Sequence, residues 1–340
     1  VLKKVRVEDA IGLILGHDMT KVVPGVCKEA AFRRGHVIKA EDIPEMLSMG
    51  KEHIYVIEEE DGEVHEEEAA ARLVKAFSGP EMSTTPAKEG RMDMVSNIEG
   101  LLRIDVPLLH EINSIDDIIL STLHNNTVCH KGTTVAGTKI VPLYIANTKL
   151  EEIEALCRQR GKVLRVLPFI YSKVGVVITG SEVYKGRIQD RFGDTIRGKV
   201  ESLGGYIEHI TIVDDDEEMI AAAVRDMKSR GCQVIIACGG FSVDPDDVTV
   251  EGVEKSGAQV VKYGAPVMPG SMCLTAYLGD VPILGAPACA IWNKATIVDM
   301  LLPRAMAGQK ITREEIVALG HGGLCQGCKP CNYPVCPYGK

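Results

Sequence analysis

The sequence predicts an α/β fold: a three-layer, mostly parallel sheet preceded by smaller α+β and β-rich domains. Three observations lead there. Val234-Ile235-Ile236-Ala237 is an unbroken apolar run, the pattern of a strand buried on both faces, and it ends in Gly239-Gly240. Lys173-Val174-Gly175-Val176-Val177-Ile178-Thr179 repeats the pattern and ends in Gly180-Ser181-Glu182. Between them the order is strand, helix, strand, helix, strand, with Ile207 to Val213 as the middle strand.

The elements follow from the N-terminus. Residues 1–77 alternate short strands and helices and read as an α+β domain. It closes on Glu66 to Phe77, an amphipathic helix whose acidic first turn suits the helix dipole. Residues 78–90, rich in Gly, Pro, Ser and Thr, have the composition of a linker. Residues 91–150 read as a β-rich domain, with Thr133 to Leu143 its best strand pair and His124-Asn125-Asn126-Thr127 either a ligand-facing segment or a turn. Residues 151–170 supply a connecting helix and strand, 171–308 the parallel sheet, and 309–340 a tail. Asp214-Asp215-Asp216 opens a helix in the sheet domain, with Met219, Ile220, Ala223, Val224 and Met227 as its core-facing stripe.

In open parallel sheets ligands sit beyond the carboxyl ends of the strands, so the loops after Thr179 and Cys238 should line one crevice. A glycine pair admits close approach, because no Cβ stands in the way. Ser242 then offers a hydroxyl and an amide, and Asp244, Asp246 and Asp247 crowd the next positions. Such donors beside clustered acids suit an anionic ligand whose charge is bridged by a hard divalent cation. A strand-to-helix loop with Asp246 as N-cap is the alternative reading.

Thr179-Gly180-Ser181-Glu182, Asp190, Asp214-Asp215, Gly239-Gly240-x-Ser242 with Asp247-x-Thr249, Pro269-Gly270 and Gly285-x-Pro287 occur in the order found in molybdopterin-binding domains. The chain resembles that MoeA/MogA-like superfamily, which includes molybdopterin adenylyltransferases, molybdenum insertases, gephyrin and the competence-damage-inducible proteins. The likeness covers roughly residues 171–308. Upstream, Val7-Glu8-Asp9-Ala10-Ile11-Gly12 through Gly50 to Val56 is similar to an insertase N-terminal region. The whole resembles insertase-like proteins that end in a cysteine cluster.

The resemblance implies a molybdopterin-binding domain in which Thr179, Gly180, Ser181, Glu182, Gly239, Gly240, Ser242, Thr249, Pro269, Gly270, Gly285 and Pro287 bind the cofactor. Asp247 and Asp190 would be catalytic. Asp215, Asp244, Asp246 and Asp247 would hold Mg²⁺. It further implies a cytoplasmic homodimer in molybdenum cofactor biosynthesis, a magnesium-dependent molybdopterin molybdotransferase that inserts molybdate with AMP release. The chain departs from the insertase pattern at Asp244, Phe192, Ser271-Met272 and Ala288, and the last narrows the room for a ligand phosphate. These departures keep an alternative open, a non-catalytic molybdopterin carrier or maturation factor for a molybdenum hydroxylase. A nucleotide hydrolase is the third reading.

Seven of the eleven cysteines (Cys27, Cys129, Cys157, Cys232, Cys238, Cys273 and Cys289) are scattered as free thiols would be. The other four form Cys325-x2-Cys328-x2-Cys331-x4-Cys336-Pro337, close to a ferredoxin run, and are expected to hold an iron–sulfur cluster or zinc. A flexible redox-active tail is the alternative; His321 is a candidate ligand, although Gly320-His321-Gly322-Gly323 reads rather as a hinge leading into the cluster. The remaining histidines show no metal-ligand spacing, and no P-loop pattern occurs.

The 340 residues carry a net charge of −9, which argues against a nucleic-acid footprint. An anionic ligand must then be held locally, and Lys173, Lys185, Arg187, Arg191 and Arg197 cluster around the first loop. No apolar run approaches the roughly 18 residues of a membrane span, and no basic-then-apolar leader is present, so a cytoplasmic protein without membrane partners is expected.

Overall fold

The computed structural model describes residues 2–23, 27–57 and 62–340. The chain divides into two units that interleave in sequence. The first comprises Val1–Asn97, Ile104–Leu123 and Lys131–Arg165, and the second Ile98–Arg103, His124–His130 and Val166–Lys340.

In the first unit, Leu2–Arg6 pairs antiparallel with His53–Ile57, and Met19–Val23 with Cys27–Phe32. Val7, Leu15, Met19, Ile38, Met46, Ile54 and Val56 are buried together in a small core. The helix Glu66–Phe77 has the expected bounds and buries Ala69, Ala70, Leu73, Val74 and Phe77. It packs against the helix Asn147–Arg160, where Arg72 Nε lies 2.8 Å from Glu154 Oε1. Residues 78–90 differ from a linker, because Met82–Thr84 is the edge strand of an antiparallel sheet continued by Met92–Ser96, Thr134–Ile140 and Ile118–Thr122. The Ser/Thr/Pro composition masks this strand, which buries only Met82.

The second unit is built on six strands: β1 (Lys173–Thr179), β2 (Tyr206–Val213), β3 (Val234–Cys238), β4 (Gln259–Tyr263), β5 (Leu274–Leu278) and β6 (Val281–Ala286). Their order is β2-β1-β3-β6-β5-β4. The first four run parallel, while β5 is antiparallel to both of its neighbours. Alternate residues point to opposite faces, as the strand period requires. Val174, Val176, Ile178, Val234 and Ile236 enter one core with α2 (Phe192–Glu201) and α5 (Ile297–Met306). Val177, Ile235 and Ala237 enter another with α3 (Glu217–Ser229) and α4 (Thr249–Lys255). The result is a sheet between two helical layers.

Two shorter helices complete the unit, α1 (Ser181–Tyr184) and α6 (Arg313–Ala318). The sheet order reverses at β1, which has β2 on one side and β3 on the other. Ile178 pairs with Cys238, Thr179 with Val213 and Cys238 with Ala286, so all four parallel strands end at one edge. A crevice for ligand is expected at such a switch point.

Candidate functional site

At that edge Thr179 and Thr249 are buried, and their hydroxyls lie 2.9 Å apart. Thr179 Oγ1 also donates to the carbonyl of Cys238 at 3.3 Å. The two hydroxyls brace the ends of β1 and β3 against the start of α4. Gly239 and Gly240 have φ of 87° and 63°, values a side chain rarely adopts. A Cβ on Gly240 would stand 2.1 Å from Thr249 Oγ1, and one on Gly239 would stand 2.4 Å from Thr179 O. The glycine pair therefore admits the two threonines. Gly180 is different: a Cβ there would meet nothing nearer than Glu182 Oε2 at 3.7 Å, so space remains open above it.

The loop after β1 is locked to the loop after β2. The Ser181 amide donates to Asp215 Oδ2 at 2.8 Å, the Ser181 hydroxyl donates to Asp214, and Lys185 Nζ lies 3.2 Å from Asp214 Oδ2. Asp214 is accordingly held below its ordinary pKa, first by the Ser181 hydroxyl. Asp215 goes the other way. Burial lifts its carboxyl, and the negative charges of Asp247 and Asp214 push in the same direction. Its Oδ1 is buried without a hydrogen-bond partner. Asp216 accepts the amide of Met219 at 2.9 Å and caps α3, as its position in the acidic triplet suggests.

The loop after β3 closes on itself. Asp247 Oδ2 accepts the Ser242 amide at 2.6 Å, Ser242 Oγ accepts the Asp244 amide, and Asp244 Oδ1 accepts the Asp246 amide, both at 3.0 Å. Asp246 is not an N-cap; Val248 precedes α4 with no side-chain cap. Asp190 accepts the amides of Phe192 and Gly193 at 2.7 and 2.9 Å and fastens the start of α2. It also lies near enough to the end of β3 for its charge to add to the burial that raises the Cys238 thiol.

The outlying expected residues have other surroundings. A Cβ on Gly285 would fall 2.7 Å from both Leu274 Cβ and Phe241 Cζ, so this glycine permits close packing in the sheet. Pro287 is buried, and Ala288 is exposed at the start of a short turn through Ile291. Gly270 abuts Ile297 at the start of α5. The Pro269 carbonyl accepts the hydroxyl of Tyr338, 2.8 Å away in the C-terminal segment.

That segment is a strap rather than a free tail. Met268 bridges Leu324, the Cys325 amide donates to Met268 O, and Gly339 donates to Gly322 O. The Gly320–Gly323 stretch belongs to this ladder and is not a hinge standing apart from it. Tyr333 donates to Asp299 O at 3.2 Å and meets Tyr338 edge-on, with ring centroids 6.1 Å apart.

Cys325 and Cys336 pack against the core, while Cys328 is exposed. Among the described residues no three His, Cys, Asp or Glu side chains stand together in a way that could hold a metal ion. The four thiols of the strap are among these, so as arranged they do not form an iron–sulfur or zinc ligand set. The acids require a different test. Mg²⁺ is usually held by one or two carboxylates together with ligand phosphates rather than by a cage of side chains. Asp215, with an orphaned buried oxygen beside the charge of Asp247, fits that mode, whereas Asp190 commits both of its oxygens to backbone amides.

Sequence reasoning passed over Asp214 as a positioning group, the tyrosines of the strap and Trp292. A lone tryptophan five residues beyond Pro287 was the available signal for the last. No helix among the described residues is long and apolar enough to cross a membrane.

The fold is that of a mixed, mostly parallel α/β domain with acidic and hydroxyl groups at its switch point. Residues 175–314 match the family described as “Probable molybdopterin binding domain”, and residues 4–58 match a “Domain of unknown function (DUF8806)”. A CinA-like protein from Mycobacterium tuberculosis is 41% identical over 86 residues, which cover 25% of this chain and 20% of that protein. The chain thus spans about a fifth of the length of the curated relatives it matches.

Two solved structures share part of the chain. The molybdopterin biosynthesis enzyme MoaB from Thermus thermophilus is 20% identical, covering 39% of this chain and 91% of its own, with a TM-score of 0.33. The tungsten cofactor synthesizing protein MoaB from Pyrococcus furiosus is 16% identical, covering 40% and 91%, with a TM-score of 0.31. The match to the molybdopterin-binding domain is confined to residues 175–314 of this chain.

Proposed function

We propose that the protein binds molybdopterin or its adenylate in the crevice at the ends of β1 and β3 and acts in molybdenum cofactor biosynthesis. The observation that carries this reading is the orphaned Asp215 Oδ1, which feels the charge of Asp247, at a strand edge where space is open above Gly180. A superfamily match over the same strands and loops supports it.

Thr179 and Thr249 fix the spacing of the two loops. Asp214 fixes the first loop through the Ser181 hydroxyl and Lys185, and Asp247 shapes the second through the Ser242 amide. Asp215 and Asp247 are the groups that would hold Mg²⁺. A cation bound there supplies charge neutralisation to the phosphoanhydride of an adenylated ligand, the usual electrostatic contribution in phosphoryl chemistry. The chain's own part is to hold the phosphate end between rigid loops, so that molybdate insertion with AMP release needs little reorganisation.

Anaerobic protein incubated with adenylated molybdopterin, Mg²⁺ and molybdate tests this. Molybdate-dependent AMP release, lost in Asp247→Ala and Asp215→Asn, is expected. Tight binding without AMP release would leave the second reading, a carrier. That reading is favoured by Asp190, whose carboxylate is committed at both oxygens to capping α2. Absence of binding would remove both.

A further inference from the structure

The chain has a single tryptophan, Trp292, and its side chain is 75% exposed. It follows the turn Ala288–Ile291 that leaves the end of β6, so it stands at the sheet edge where the crevice opens. The Trp292 amide, bonded to Cys289 O at 3.2 Å, and the Asn293 side chain, bonded to the same carbonyl at 2.9 Å, hold it there. The Arg191 guanidinium lies over its ring, 5.6 Å from the centroid. Arg191 directly follows Asp190, the residue that fastens α2 next to the end of β3.

An indole left in water forgoes much of the free energy its burial would yield, and a cation over one face leaves the other available. On the loop after β3, Val243 is also exposed, at 92%. The loops after β6 and β3 thus carry exposed apolar groups, while the loops after β1 and β3 carry hydroxyls and carboxylates. A ligand that suits both is flat and aromatic at one end and anionic at the other.

We infer that Trp292 is the stacking platform for the planar heteroaromatic ring of the crevice ligand, with Arg191 backing the indole on its other face. This rests on the function proposed above and adds the group that recognises the ring. Guanidinium, indole and ligand ring form a three-membered stack. The guanidinium is planar and weakly hydrated, so it remains in the stack rather than retreating into water. In an adenylated pterin the ring could be either the pterin or the adenine, and the two share this chemistry.

The single tryptophan makes the test direct. Indole emission is followed while molybdopterin and, separately, AMP are added under anaerobic conditions, and calorimetry measures affinity in parallel. Quenching by the ligand whose ring occupies the platform is expected, together with roughly 10- to 100-fold weaker binding of that ligand to Trp292→Ala and partial recovery in Trp292→Phe. Thermal unfolding of the variants should match the parent, because the side chain is exposed.

Unchanged calorimetric affinity in Trp292→Ala, with the parent binding normally, overturns the platform and leaves the proposed function standing. Binding of neither ligand to the parent overturns both. Quenching that depends on protein concentration and not on ligand overturns the platform in favour of contact between two copies of the chain.

Discussion

The hydroxyls of Thr179 and Thr249 meet 2.9 Å apart, across 70 residues of sequence, where two parallel strands end. Both threonines are buried, and while the Thr179 hydroxyl also reaches the Cys238 carbonyl, the Thr249 hydroxyl relies on Thr179. Thr249→Val keeps the shape and removes one partner, and should destabilise the protein by about 1–3 kcal/mol. Gly240→Ala should cost more, because it meets both a positive φ and the Thr249 hydroxyl. Urea unfolding midpoints measure both; equal stability of the parent and Thr249→Val would contradict the bracing role.

Asp215 should make stability fall with rising pH. Its folded pKa lies above the ordinary 3.8 of an aspartate, so between those two values the folded chain binds more protons than the unfolded one. Stability is then lost as pH rises through the folded pKa. In metal-free buffer Asp215→Asn should unfold at higher urea than the parent at pH 7, with the gap closing toward pH 4. A gap that widens on acidification would reverse the sign and the assignment.

Glu315 should do the opposite. Burial pulls its carboxyl up, but the Thr312 amide and the Arg304 guanidinium hold it below the usual value. Arg304 is only 3% exposed and its Nη2 lies 2.5 Å from Glu315 Oε2. Glu315→Gln strands a buried charge and should cost about 3–5 kcal/mol near neutral pH. That difference should shrink as the pH falls below the ordinary glutamate value of 4.5 and the parent's own carboxyl protonates. Chemical denaturation at pH 7 and pH 3.5 gives the comparison.

Thiol labelling should sort the cysteines by burial. Cys328 is exposed, whereas burial pushes Cys273 up to about 12 and Cys238 well above its ordinary value. A thiolate-directed reagent should modify Cys328 in the folded protein and reach Cys238 and Cys273 only after unfolding, as mass spectrometry would register. Early modification of Cys238 would contradict its burial in β3.

The strap predicts a last outcome. Tyr338 is 3% exposed and donates to the Pro269 carbonyl. Tyr338→Phe removes one hydrogen bond and should cost about 1 kcal/mol. Tyr338→Ala also empties a packed site and should cost about 3–5 kcal/mol. It should also expose the strap to limited proteolysis near Leu324, and resistance equal to that of the parent would argue against the strap being held by this side chain.

What could be read from the sequence followed the strength of local patterning. β1 and β3 are unbroken apolar runs, and the glycines that end them are plain. The switch point followed from element order, although the antiparallel insertion of β5 between β4 and β6 did not. Asp216 could be read as a cap because capping is local. The Thr179–Thr249 pair could not, since nothing within one loop signals a partner 70 residues away. The glycine pair looked like room for ligand and proved to be room for those threonines. The strap was hidden for a related reason: composition marks Gly, Cys and Pro as loose, and only the long-range contact of Tyr338 with Pro269 shows how they are held.

The interleaving of the two units bears on how such a molecule can be taken apart. Residues 98–103 and 124–130 belong with the sheet unit although they lie inside the sequence of the other. A fragment starting at Val166 would lack Arg103 and Asn126, which are joined by a 2.6 Å hydrogen bond within that unit. The usual routes of modular exchange, a cut between neighbours or a fusion at one seam, would sever pieces of both units at once. A fragment that keeps the sheet unit whole must therefore carry residues 98–103 and 124–130 with it.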